Sequence, residues 1–186
     1  TLQKQRAFQK VMEYAKRLET KYPVSDYLEE PVSPFAGVKV EGSPAMGPEN
    51  ARVTVFEFSD YECPSCRQAH EVVKRVREHF GSQIRWVFKD YPLKRHENAR
   101  AAAEAARCAA DQGKFWQYQD LLYGSKEDLK SERLLRLGAD LGLDIEQFKA
   151  CTESGKHKPS VERDLEEAKK AGLDRTPSFL INGRLI

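Results

Sequence analysis

Two cysteines three residues apart, Cys63 and Cys66, constrain this chain most, because of what flanks them. Val53 to Phe58 is β-branched and aromatic, free of Gly and Pro, and reads as a buried strand. A short turn follows. Pro64 then opens a helix, where its missing N–H costs nothing. Cys63 therefore stands at a helix N-terminus, where exposed N–H groups and the positive dipole end favour a thiolate. Cys66 lies one turn on, close enough to close a disulfide. Ala69, Val72, Val73, Val76 and Phe80 continue as an apolar stripe, and Gly81 supplies a stop.

A strand, a CxxC and a helix in this order point to thiol–disulfide chemistry. Zinc is the competing reading, and it needs four ligands, as two such pairs or a His pair at helix spacing. Cys108 and Cys151 stand apart in the sequence, and His70, His79, His96 and His157 form no ligand set at such spacing. The redox reading is preferred, with no metal and no cofactor.

The rest of the composition narrows the class. A chain of 186 residues with 40% apolar and 32% charged residues suits one domain with an appendage and a polar surface. A net charge of +2 makes no case for nucleic acid or an anionic membrane. No apolar run is long enough to span a bilayer. The chain opens on no secretory leader, so an export signal is expected to have been removed or never present. Four cysteines allow two disulfides and lean towards an oxidising compartment.

Taken in order, residues 2–21 read as a charged amphipathic helix, with Phe8, Val11, Ala15, Leu18 and Tyr22 on one seam. The seam lasts about two heptads, short of the three or four of a coiled coil. Packing on its own domain and self-association both stay open. Residues 23–50, rich in Pro and Gly, form a connector, with a short edge strand expected at Val38 to Val40. Ile84 to Phe88 reads as a second core strand. An Ala-rich helix follows over 97–111, then helices at 114–123, from Ser131, from an Asp144 cap, and from a Ser160 cap to Gly172. Lys89, Tyr91 and His96 read as a solvated charge, an aromatic rim and a polar loop residue. Pro177 to Ile181 returns to strand character, and Asn182-Gly183 is a hairpin signal. A return arm of Arg184 to Ile186 is marginal, so either further chain or a neighbouring chain is expected to complete the sheet.

The stretches Glu57-Phe58-Ser59-Asp60-Tyr61-Glu62-Cys63-Pro64-Ser65-Cys66 and Thr176-Pro177-Ser178-Phe179-Leu180-Ile181-Asn182-Gly183, with a helical block between strands, resemble the DsbA-like branch of the thioredoxin superfamily. The resemblance implies an α/β, thioredoxin-like fold with an inserted helical subdomain and an N-terminal helical extension. Its divisions are an N-terminal helix and linker over 1–37, a first thioredoxin-like part over 38–96, the insert over 97–172 and a last part over 173–186. Pro177 is implied to be cis and to face the disulfide.

The same resemblance implies a protein thiol–disulfide oxidoreductase outside the cytoplasm, in the periplasm or its equivalent, with Cys63 as nucleophile and Cys66 as resolving thiol. Glu57 lies six residues before Cys63, where the family keeps an acid beneath the disulfide. Its implied role is proton exchange with Cys66. Pro64 and Ser65 set the turn. Thr176 and Pro177 wall a groove where a substrate peptide pairs by strand addition. An oxidising compartment favours a structural disulfide between Cys108 and Cys151 over two buried thiols. Expected partners are proteins bearing thiols or disulfides, a redox partner that resets the site, and a second copy of the chain through the N-terminal helix. Oxidase, isomerase and reductase directions stay open, as does a non-catalytic binding module.

Overall fold

A computed structural model describes residues 2–22 and 37–186, in two compact units over 1–32 and 33–186. Among its described residues the first unit holds one helix, α1 (Leu2–Lys21), and Val11, Met12 and Tyr14 on it and Tyr22 just after it are more than half exposed. The Pro-rich residues 23–36 of the expected connector lie outside the described residues, as do the side chains of Phe8 and Ala15 on the expected seam.

The second unit is built on a five-stranded sheet in the order β1-β3-β2-β4-β5. Its strands are β1 (Ala45–Met46), β2 (Val53–Ser59), β3 (Ile84–Asp90), β4 (Ser178–Ile181) and β5 (Arg184–Leu185). β2 and β3 run parallel, joined by the crossover helix α2 (Pro64–Phe80), and the other pairings are antiparallel. Alternation along β2 divides the core. Val53 and Val55 face Val73 of α2 and Trp86 of β3, whereas Phe56 and Phe58 face Leu165 and Ala168. The latter two belong to α7 (Lys158–Lys170), so the sheet is covered on both sides.

Between β3 and β4 the chain forms α3 (Ala99–Asp111), α4 (Phe115–Gly124), α5 (Ser131–Asp140), α6 (Ile145–Ser154) and α7. The small residues Ala102, Ala105, Ala106 and Ala109 of α3 are fully buried, which lets Tyr118, Leu122, Leu134 and Phe148 pack close around it. Asp144 caps α6, accepting from the Gln147 N–H at 3.1 Å. Cys108 of α3 and Cys151 of α6 are joined by a disulfide, with Cα atoms 5.9 Å apart.

Four local expectations change. Val38 and Val40 form no strand. They pack, partly buried, beside the Phe56 cluster, and the sheet edge is taken by Ala45 and Met46. α7 starts at Lys158, ahead of Ser160, because Pro159 is tolerated in a first turn where no N–H is needed. On α2, Val72 and Phe80 point outward, and the buried face is Cys66, His70, Val73 and Arg77. Lys89 is no solvated charge. It is fully buried, with Nζ 3.2 Å from Asp164 and 2.8 Å from Glu167. Arg107 of α3 bonds both Asp90 and Asp164, so paired charges tie β3, α3 and α7 together.

β4 has partners on both sides. It pairs with β2 through Ser178 to Ile181, and with β5 through Leu180 and Ile181. Asn182 and Gly183 turn the hairpin at φ 48° and 79°, the left-handed pair that a two-residue turn requires. The Asn182 side chain stitches the turn to β2, accepting from Thr54 N–H at 2.8 Å and donating to the Arg52 carbonyl at 3.1 Å.

Candidate redox site

The turn between β2 and α2 is held from outside. Asp60 accepts from the Glu62 N–H at 2.8 Å with one oxygen. With the other it accepts from the Leu93 N–H at 2.7 Å and pairs with His96 Nδ1 at 2.8 Å. Glu62 in turn accepts two bonds from Asn98. These contacts hang the turn on the segment between β3 and α3. His96, read from sequence as a plain loop residue, is part of that anchor. Tyr91 is buried rather than a rim residue, and its hydroxyl donates to the Leu173 carbonyl at 2.7 Å, just before the Thr176 segment.

Cys63 caps α2 in extended conformation, with Pro64 at the first helical position. Cys63 and Cys66 are both free, buried thiols, while Pro64 and Ser65 between them are exposed. The Cys63 sulfur lies 3.5 Å from the Thr176 carbonyl oxygen. The Thr176–Pro177 bond is cis. The structure thus brings Thr176 to Cys63 from 113 residues away. The Thr176 hydroxyl is buried with no partner among the described residues, so it is available to donate to a thiolate.

The two thiols differ in acidity. Burial pushes Cys63 up, but hydrogen bonds from Thr176 and from the Cys66 and Ser65 backbone outweigh it and leave the thiol below its ordinary value. Burial pushes Cys66 up to about 12, against weaker help from Ser59 and the Asp60 backbone. Such a split suits one attacking sulfur and one that holds its proton.

Glu57 sits on the same face of β2 as Val53 and Val55 and is 2% exposed. Burial raises its pKa above the usual carboxylate value; the Trp86 bond, with Nε1 donating at 2.9 Å, and the charges of Arg77 and His70 oppose that rise. The Ser59 hydroxyl accepts from the Tyr123 hydroxyl at 2.8 Å and stands close enough to Glu57 and Cys66 to oppose the rise in both. Trp86, Ser59, His70, Arg77 and Tyr123 escaped the sequence reading. Counting the helical period from Cys66, rather than from the aliphatic residues, would have put His70 and Arg77 on the inner face.

Cys108, Cys151 and His157 also converge, with candidate ligand atoms within 4.8 Å of one another, although sequence spacing hides this. Both sulfurs are spent in the disulfide, and the His157 ring pairs with Asp111 at 2.9 Å.

A parallel β2–α2–β3 unit with a CxxC at the helix start, faced by a Thr–cis-Pro before an antiparallel hairpin, defines the thioredoxin-like class. The family model described as Thioredoxin matches residues 39–186. A thioredoxin-like oxidoreductase from Silicibacter pomeroyi is 30% identical, with a TM-score of 0.72 over 85% of this chain and 88% of that one. The thiol-disulfide exchange protein alpha-DsbA2 from Wolbachia pipientis shares the fold at 22% identity, with a TM-score of 0.70 over 77% of this chain and 78% of that one. The chain therefore belongs to the thioredoxin family. It is also 38% identical over 157 residues to a Na+/H+ antiporter NhaA of Herminiimonas arsenicoxydans, covering 84% of this chain and 24% of that protein. The chain thus spans about a quarter of the length of the curated relatives it matches. Among the described residues no helix is long and apolar enough to cross a membrane.

Proposed function

We propose that the chain exchanges disulfides with protein substrates through Cys63 and Cys66. The observation that carries this reading is a pair of free cysteines at the start of α2 whose outer sulfur lies 3.5 Å from the Thr176 carbonyl, beside the cis Thr176–Pro177 bond. A substrate thiolate attacks the Cys63 sulfur of the oxidised pair. The mixed disulfide forms and Cys66 leaves as a thiolate, which takes a proton from Glu57 by way of Ser59. A second substrate thiolate releases the product and leaves both thiols reduced. Thr176 and Pro177 flank the sulfur, with Pro64 and Ser65 on the exposed side, and an extended substrate backbone pairs along them. Residues 97–172 act as an inserted helical subdomain that carries the Cys108–Cys151 bridge.

That bridge supports a place outside the cytoplasm, where disulfides persist. A redox partner there resets the pair. The redox chemistry is carried over and the ion transport is not, because the match to the antiporters is confined to the thioredoxin-like portion. The apolar residues exposed on α1 favour a second direction for the same site. Self-association would present several active sites to one misfolded substrate, as an isomerase needs.

The test is Cys63→Ser. Loss of disulfide exchange with substrate binding retained supports catalysis; a variant whose biological function is intact without that exchange leaves only a binding module. The reduction potential separates the directions, about −120 mV for a strong oxidant and about −270 mV for a reductant of this fold.

A further inference from the structure

The bridge of the helical block has two polar neighbours that a disulfide does not need. Cys108 and Asp111 lie three residues apart on the last turn of α3, Cys151 lies on α6, and His157 stands at the N-cap of α7. Candidate ligand atoms of Cys108, Cys151 and His157 all lie within 4.8 Å of one another. Asp111 Oδ2 is 2.9 Å from His157 Nε2 and 3.6 Å from the Cys151 sulfur. A closed disulfide has no use for an imidazole and a carboxylate at its side. Two thiolates and a metal ion do.

The donor set and its spacing suit zinc, which takes thiolate, imidazole and carboxylate ligands in a tetrahedron. On such an ion an oxygen and a nitrogen ligand lie roughly 3.3 Å apart, an oxygen and a sulfur roughly 3.5 Å, and two sulfurs roughly 3.8 Å. The Asp111–His157 and Asp111–Cys151 distances already come close to the first two. Only the sulfurs must part once their bond opens, and side-chain rotation supplies that movement. The charges also balance. Two thiolates and a carboxylate exceed the charge of a zinc ion by one, and the Lys156 ammonium lies 2.8 Å from Asp111 Oδ2 to offset it. Lys156 is 59% exposed, so it can move to the other carboxylate oxygen as the ion enters. The hydrogen between His157 Nε2 and Asp111 gives way to the ion, and the neutral ring keeps its hydrogen on Nδ1. Cys108 is buried, Cys151 and His157 are half-buried and Asp111 is at the surface, which leaves an entry path from the Asp111 side.

We propose that Cys108, Cys151, His157 and Asp111 form a zinc site in the reduced protein, in exchange for the disulfide. A dithiol reductant opens the bridge: two electrons enter the S–S bond, each sulfur takes a proton, and the dithiol becomes a disulfide. Zinc then binds as the two thiol protons are released. In the reverse direction a disulfide oxidant takes two electrons from the thiolates, the S–S bond forms again and the ion leaves. Both states fasten α3 to α6, and the zinc state ties in the start of α7 as well. The site shares no residue with the Cys63–Cys66 pair, so it stands or falls apart from the disulfide-exchange reading.

The experiment uses the full chain carrying Cys63→Ser and Cys66→Ser, in which Cys108 and Cys151 are the only cysteines left. The protein is reduced, freed of reductant without oxygen, and titrated with zinc chloride against a chromophoric chelator. One zinc per reduced chain is expected, and none on the oxidised chain. Cobalt chloride in place of zinc should give the visible bands of a tetrahedral ion and a thiolate charge-transfer band. Zinc should also raise the melting temperature of the reduced chain. His157→Gln is expected to weaken zinc binding about a hundredfold and Asp111→Asn about tenfold. A reduced chain that takes up no zinc overturns the site. So does zinc binding that both substitutions leave unchanged, or that brings no rise in melting temperature, because the two thiols of an unfolded chain would do as much.

Discussion

At the scale of single residues, the site is a contest between burial and hydrogen bonding, and Cys63 and Glu57 resolve it oppositely. For Cys63 the donors win. An ultraviolet titration of the reduced protein should therefore place its thiolate below the free-thiol value of about 8.5. The sign follows for stability. The reduced fold gains from this group above the unfolded thiol value, and loses that gain as pH falls through the folded one. For Glu57 burial wins. The folded state keeps a proton that the unfolded state has lost, so the cost is absent at low pH and grows as pH rises past the unfolded value. Glu57→Gln should keep the Trp86 bond, raise stability at neutral pH by on the order of 1 kcal/mol, and slow proton delivery to Cys66. Urea unfolding at pH 5 and 8, beside single-turnover kinetics, checks both halves. Of these residues the cysteines were legible from their motif, and Glu57 from its place in the resemblance six residues before them. Trp86 and Ser59 were not, because each matters only for what lies across the sheet or helix from it.

At the scale of elements, two fastenings hold the helical block. The Cys108–Cys151 bridge joins α3 to α6 across a sequence separation of 43. Replacing both cysteines by Ala should cost about 4 kcal/mol in the chain-entropy model, and less if the unfolded chain keeps structure. Exchange at Cys63 should survive, since the bridge touches none of the site residues. Denaturant midpoints and exchange rates of the double variant test this. The second fastening is Asp164, which accepts from Lys89, Arg107 and the Asp90 N–H. Asp164→Ala would strand the fully buried Lys89 charge with only Glu167 beside it. A loss of about 3–5 kcal/mol is expected, read as a fall in melting temperature. This network was illegible beforehand. Lys89 ends a strand and Asp164 lies in a charged helix, both ordinary surface positions by composition. Only packing α7 against the end of β3 takes them out of water together.

At the scale of the whole molecule, all the site residues lie in the unit over 33–186, so that unit should keep the exchange chemistry when α1 is removed. A fragment beginning at residue 37 is expected to match the full chain in single-turnover rate, and to sediment as a monomer where the full chain sediments as an oligomer. Equal sedimentation of the two would end the case for self-association through α1. Local chemistry in the sequence was enough for the strands, most helices, the hairpin at Asn182-Gly183 and the paired thiols, because each depends on residues adjacent in the chain. The resemblance also singled out Glu57, six residues before Cys63. The tertiary structure alone decided which face of α2 turned inward, which strand took the sheet edge, and which charges were buried. Those outcomes depend on contacts between residues tens of positions apart. Hydrophobic periodicity cannot rank a buried His70 or Lys89 above an aliphatic neighbour until the groups that satisfy them have been brought alongside.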